Sequence, residues 1–278
     1  MHRIARIAIA ALASVGMLAS VAACGSGQST SEKNGTIEVA ASVNQWGTVA
    51  KALGGDNVNV TSIINSTNVD AHDYEPTTSD IAKLQKAQVI IVNGAGYDAW
   101  AVKATQTANA TIVNAAEVGG VNDGENPHVW FSADVRKAVA QAITEAYEQA
   151  DAAKKNDFDK MNDRWTAEEN NVESKIAEVK QKTGGLAYAA TESVASYLAE
   201  DMGLADATPS GYARATANES EPTPTDIKQF TDALKAGEIK LLVVNTQEES
   251  ELTGKITDAA KSVEVPMVEL TEQMPEQY

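Results

Sequence analysis

The 278-residue sequence predicts an α/β protein of two parallel-sheet lobes joined by a long helix. Two observations carry this. Short β-rich runs alternate with helical runs in the first half of the chain and again in the last third, the order that builds parallel βαβ units. Between them, residues 133–182 hold no proline or glycine and are rich in Ala, Glu, Lys, Gln and Asp, which is the composition of helix.

The elements follow in order. Residues 1–23 open with Arg3 and Arg6, continue in an apolar run and end in small residues. This is a secretory leader, too short to span a bilayer as a helix. Cys24, the chain's one cysteine, follows directly. A lone cysteine cannot form an internal disulfide, and its place after Val21-Ala22-Ala23 marks it for lipidation. Residues 24–35 are polar and Ser/Gly-rich, a flexible tether. Strands are expected over 36–43, 58–64, 88–93 and 111–114, with helices over 46–53, from Thr77 onward and over 97–105. The helical run 133–182 is read as one or two helices with a break near 152–156, stopped by Gly184-Gly185. After it come a strand over 186–190, a helix over 194–202, an irregular segment to Glu221, a helix over 224–235, a strand over 240–245, a helix over 251–262 and a strand over 266–270. The domains are thus an N-terminal lobe over 36–152, a connecting helix over 153–184 and a C-terminal lobe over 185–278.

The net charge is −17 at pH 7, and removal of the two leader arginines makes it more negative. Such a surface repels nucleic acid and anionic lipid. Outside the leader only two histidines remain, His72 and His128. His72 lies among Asp70, Asp73, Glu75 and Asp80, just past a strand. Glu192 and Glu272 also follow strand ends, and His128 sits in Asn126-Pro127-His128-Val129-Trp130 before the long helices. Ligands of parallel α/β sheets bind in the crevice beyond the strands' C-terminal ends, so an interlobe cleft brings these four together. Asp73, Glu75 and Asp80 are read as capping and surface groups, and Trp100, Trp130 and Trp165 as packing residues. Gly94-Ala95-Gly96-Tyr97-Asp98-Ala99 fits GxGxxA after a strand, a weak dinucleotide signal by itself, and is read as a structural turn. No organic cofactor is expected.

DAHDYEPTTSDIAKLQKAQVIIVNGAGYDAW (70–100) resembles the signature of the substrate-binding lipoproteins of zinc and manganese ABC importers. Residues 126–130 resemble that family's second histidine motif. Residues 191–204 and 219–224 resemble its later, less specific segments, so the likeness runs from about residue 36 to 278. It implies a metal site in the interlobe cleft with ligands His72, His128, Glu192 and Glu272. Glu272 stands where the family usually has aspartate, and Glu248 and Glu269 are the fallbacks. It also implies a monomer held to the outer face of the bacterial membrane through Cys24, delivering its ion to an ABC permease and its ATPase. The family's chains normally continue past the point equivalent to Tyr278, so the resemblance implies that either the sequence stops short or the second lobe is incomplete.

Two imidazoles and two carboxylates suit a borderline divalent ion. The absence of thiolate disfavours copper(I), and the two nitrogens disfavour calcium and magnesium. Mn²⁺ and Zn²⁺ are the expected cargo, with Fe²⁺ compatible. Glu192 in place of a third histidine, with room for bidentate carboxylates, leans the reading slightly to manganese. A secreted zinc-dependent hydrolase is the alternative from another class, but the sequence has neither HExxH nor GxSxG, and a catalytic zinc keeps an open position. A surface adhesin, or a binder of another solute, is the remaining alternative. The chain is read as a binding protein, not an enzyme.

Overall fold

A computed structural model describes residues 35–69 and 71–275. The expected leader, Cys24, the tether up to Asn34, and Asp70 of the acidic loop lie outside the described residues. The first sheet comprises β1 (Ile37–Val43), β2 (Val58–Ile64), β3 (Val89–Val92) and β4 (Thr111–Asn114). All pairs are parallel, in the order β2-β1-β3-β4. All four residues of β3, Val89-Ile90-Ile91-Val92, are buried, as a central strand covered on both faces requires. The crossover helices are α1 (Asn44–Gly54), α2 (Thr78–Lys86), α3 (Ala99–Thr105) and α4 (Ala115–Val118). A capping box starts α2: the Thr77 hydroxyl accepts from the Asp80 amide, and the Asp80 carboxylate accepts from the Thr77 amide. Asp80 is therefore the capping group expected, while Asp73 and Glu75 are exposed.

The glycine-free run folds as two helices, α5 (Ala133–Ala150) and α6 (Lys155–Thr183, 29 residues), with a turn of 3₁₀ helix at Ala152–Lys154 between them. Val135, Val139, Ile143 and Tyr147 place the apolar stripe of α5 against the first sheet's core beside Trp46 and Leu53, at the spacing of one helix face. The Tyr147 hydroxyl donates to the Ala50 carbonyl at 3.0 Å. The buried residues of α6 are Phe158, Glu169 and Ile176. Arg136 on α5 ties it down, its Nε donating to both Glu169 oxygens at 3.1 and 3.2 Å and its Nη1 to the Trp130 carbonyl at 3.0 Å.

The second sheet repeats the first sheet's topology. It comprises β5 (Ala187–Ala190), β6 (Ala205–Asp206), β7 (Leu241–Asn245) and β8 (Met267–Leu270), parallel, in the order β6-β5-β7-β8. Its helices are α7 (Ser196–Asp201), α8 (Ser210–Ala217), α9 (Pro224–Lys235) and α10 (Glu251–Ser262). Tyr212, Phe230, Leu234, Leu242 and Ile256 fill its core. One expectation is corrected here: the segment after Met202 is not irregular, since it contains β6 and α8. The sequence of α8, Ser-Gly-Tyr-Ala-Arg-Ala-Thr-Ala, carries one large apolar residue and a glycine, so no periodicity announces it. The burial of Tyr212 holds it in place. Helix 194–202 also begins as 3₁₀ helix at Ser193–Ala195 before α7.

Candidate metal centre

From Gly35 onward the chain forms one compact unit, and the C-terminal ends of both sheets face a shared cleft of about 770 Å³. His72 enters it from the loop after β2. His128 comes from the loop between α4 and α5, Glu192 from the end of β5 and Glu272 from the end of β8. The strand order reverses between β1 and β3 in one sheet and between β5 and β7 in the other, which opens a crevice where connections leave in opposite directions. Each of the four side chains offers one ligand atom, and these atoms all lie within 4.8 Å of one another. His128 Nε2 is 3.4 Å from Glu192 Oε1 and 3.8 Å from Glu272 Oε2. His72 Nε2 is 3.9 and 3.7 Å from the same two oxygens. The fallback Glu269 is exposed on β8, and Glu248 lies on the exposed rim.

Neighbours fix the orientation of these groups. His128 Nδ1 donates to Asn126 Oδ1 at 2.7 Å, and the His128 amide donates to the same oxygen at 3.0 Å. In the neutral imidazole this places the proton on Nδ1 and leaves the Nε2 lone pair facing the cleft. That Nε2 is buried and makes no hydrogen bond of acceptable geometry. Asn126 Nδ2 donates across to the Ser193 carbonyl at 2.8 Å, and the Tyr197 hydroxyl donates to the Asn126 carbonyl at 2.9 Å. On the opposite side Tyr97 donates to Glu272 Oε2 at 2.6 Å, and Gln45 donates to the Glu272 carbonyl at 2.6 Å. Asn44 and Met274 exchange a pair of hydrogen bonds. The cleft floor is therefore stitched by residues of both lobes.

The GxGxxA turn is structural. Gly94 and Gly96 adopt positive φ of 78° and 86°, and the buried Asp98 carboxylate accepts the amides of Asn93 and Gly94 at 2.6 and 2.9 Å. Burial raises the Asp98 pKa, against the pull of those hydrogen bonds. Asn93 in turn accepts from Trp46 Nε1 at 2.9 Å and donates to the Pro127 carbonyl at 2.8 Å, which props up the His128 loop. Trp130 packs edge-on against both Tyr97 and His128.

The charges balance locally. Burial alone lowers the His128 pKa, but the carboxylates of Glu192 and Glu272 outweigh it and hold it up at about 9. Burial likewise opposes ionisation of Glu272, yet His128, Tyr97 and His72 keep its pKa below the ordinary value. The cleft is a place for positive charge. Asp73, Glu125, Glu219, Glu221, Glu248 and Glu249 line its mouth, and no lysine or arginine is among its described lining residues. Glu219 Oε1 approaches His72 Nδ1 to 3.2 Å. Sequence reasoning did not single out Tyr97, Asn126 or Asn245 as site residues. The one signal for Asn245 is a polar residue closing the apolar strand Leu-Leu-Val-Val-Asn.

Two α/β lobes, with two histidines and two glutamates converging as candidate metal ligands in the cleft between them, fit a metal-binding substrate-binding protein. The chain belongs to the family of zinc-uptake complex component A, periplasmic, whose pattern matches residues 39–278. It is similar to the manganese ABC transporter substrate-binding lipoprotein PsaA of Streptococcus anginosus, 24% identical over 245 residues that cover 81% of this chain and 77% of that protein. Its fold is similar to the crystal structure of ZnuA, with a TM-score of 0.72 at 19% identity over 86% of this chain and 92% of that one. It is also similar to the periplasmic zinc-binding protein TroA of Treponema pallidum, with a TM-score of 0.71 at 16% identity over 86% and 90%. The family is one of transport components. No helix among the described residues is long and apolar enough to cross a membrane.

Proposed function

We propose that this protein captures Mn²⁺ or Zn²⁺ in its interlobe cleft, with His72, His128, Glu192 and Glu272 as ligands, and delivers the ion to an ABC permease. The protein acts as a monomer on the outer face of the membrane, anchored through a lipidated Cys24. Residues 36–152 and 185–278 act as the two lobes, with 153–184 as the connecting helix. The observation that carries the reading is the convergence of four ligand atoms from four separate loops. Their two negative charges match one divalent ion, which lowers the cost of taking it out of water. The unsatisfied buried Nε2 of His128 fits an imidazole waiting for a metal. The acidic mouth raises the local concentration of cations and speeds their entry. Because α6 is a continuous helix, release is expected through a small tilt of one lobe or a loop rearrangement rather than a wide hinge.

The test is thermal melting of the metal-stripped mature protein titrated separately with Mn²⁺ and Zn²⁺, beside His72→Ala. An ion that binds only the folded state adds about 2.7 kcal/mol at a hundredfold excess over Kd. A shift with either ion that disappears in His72→Ala is expected. Equal responses from the wild type and the variant, or none from the wild type, would remove the metal from the reading.

A further inference from the structure

We infer that Asn245 is a positioning residue that holds both metal-site carboxylates to one-oxygen coordination and so makes the centre four-coordinate. The inference rests on the capture reading above. Asn245 closes β7 in the middle of the second sheet and is 2% exposed. Its Oδ1 accepts the Gln247 amide at 3.0 Å, so the carbonyl side of the amide is committed and the NH₂ group faces the cleft. That nitrogen has two protons and uses both. One goes to Glu192 Oε2 at 2.5 Å and the other to Glu272 Oε1 at 2.9 Å. The oxygens left toward the histidines are Glu192 Oε1 and Glu272 Oε2, the same two that approach His72 and His128.

Bidentate binding needs both oxygens of a carboxylate to turn to the ion. Here the outer oxygen of each is held by a buried amide, and turning it inward leaves an Asn245 proton unpaired in the core. Tyr97 adds a second restraint by donating to Glu272 Oε2. The spacing agrees. Bonds of about 2.1 Å at tetrahedral angles separate ligand atoms by about 3.4 Å, and at right angles by about 3.0 Å. The four histidine–carboxylate separations, 3.4 to 3.9 Å, fall on the tetrahedral side. The lean to manganese in the sequence relied on free second oxygens, and Asn245 occupies them. Four nitrogen and oxygen ligands in such a closed set suit zinc.

The experiment loads the mature protein with Co²⁺ and records its visible spectrum, then measures Zn²⁺ and Mn²⁺ affinities for the wild type, Asn245→Leu and Asn245→Ser. Leu keeps the volume without the donors, and Ser is a smaller, polar replacement for use if Leu does not fold. The wild type is expected to give the intense absorption of four-coordinate Co²⁺. The variants are expected to give weaker bands and a Zn²⁺-to-Mn²⁺ affinity ratio lowered about tenfold, within the range for loss of a group that orients ligands. Zinc outbinds manganese at unconstrained nitrogen and oxygen sites, so the change in ratio is the readout. A weak, six-coordinate spectrum in the wild type overturns this inference while leaving metal capture standing. So does an unchanged spectrum and ratio in a folded variant. Absence of any bound Co²⁺, Zn²⁺ or Mn²⁺ in the wild type overturns the capture reading and this one with it.

Discussion

Replacing Asn126 by alanine tests how His128, one of the proposed ligands, is held. The change removes three hydrogen bonds: Oδ1 from His128 Nδ1 at 2.7 Å, Oδ1 from the His128 amide at 3.0 Å, and Nδ2 to the Ser193 carbonyl at 2.8 Å. The Tyr197 bond survives because it uses the Asn126 backbone carbonyl. At about 1 kcal/mol net each, the loss is about 3 kcal/mol of stability. For a chain of this size that lowers Tm by about 6–12 °C. Metal affinity falls separately, because the His128 ring loses the acceptor that keeps its proton on Nδ1. Groups of this kind are worth about 10- to 100-fold in affinity, or about 1.4–2.8 kcal/mol. The assay is calorimetric titration of Zn²⁺ into the metal-free protein, paired with a melting curve. Asn126→Asp separates the two effects, since it keeps the acceptor for Nδ1–H and loses the donor to Ser193. Near-wild-type affinity with reduced Tm is expected for it. Affinity for Asn126→Ala within about twofold of wild type, well below the expected range, would refute the orienting role.

Three further outcomes are expected. In the metal-free protein the raised His128 pKa means its imidazolium contributes stability fully below the ordinary value of 6.5, and this is lost as pH rises through about 9. Metal binding must displace that proton, so calorimetry at pH 7 in buffers of different ionisation enthalpy is expected to show proton release, with apparent affinity climbing toward pH 9; pH-independent affinity would contradict it. Arg136→Met strands the buried Glu169 carboxylate and is expected to cost about 3–5 kcal/mol in chemical denaturation, with a loss under about 1 kcal/mol counting against the pair's role. Gly94→Ala meets both a positive φ of 78° and Asn114 Oδ1 at 2.1 Å from the new Cβ. It is expected to destabilise by more than about 1 kcal/mol, read from its melting temperature, and an unchanged Tm would argue against a rigid turn under the His128 loop.

Much of this architecture is written in local sequence. The buried run Val89–Val92 and the alternation around it specify a strand between helices, because each segment's periodicity acts over its own few residues. Thr77 with Asp80, Thr223 with Asp226, and Ser250 with Thr253 start α2, α9 and α10 where the sequence places them. Capping is a contact three residues long and needs no tertiary partner to be recognised. His72 and His128 stand out because the sequence has no other histidine beyond His2. Helix α8 was invisible for the complementary reason: its eight residues are held by one buried tyrosine, and helices that short are made stable by packing.

The sequence by itself determined the alternation of strands and helices, apart from β6 and α8, and the identity of the four side chains that meet in the cleft. Only the tertiary structure decided how far apart those side chains stand and which of their atoms remain available. Glu272 meets His72 across 200 residues of chain, and the hydrogen bonds from Tyr97 and Asn245 that aim its oxygens come from two different lobes. A residue's type travels with the chain, but the direction in which its lone pairs point is set by neighbours that are near only once both sheets have folded and docked.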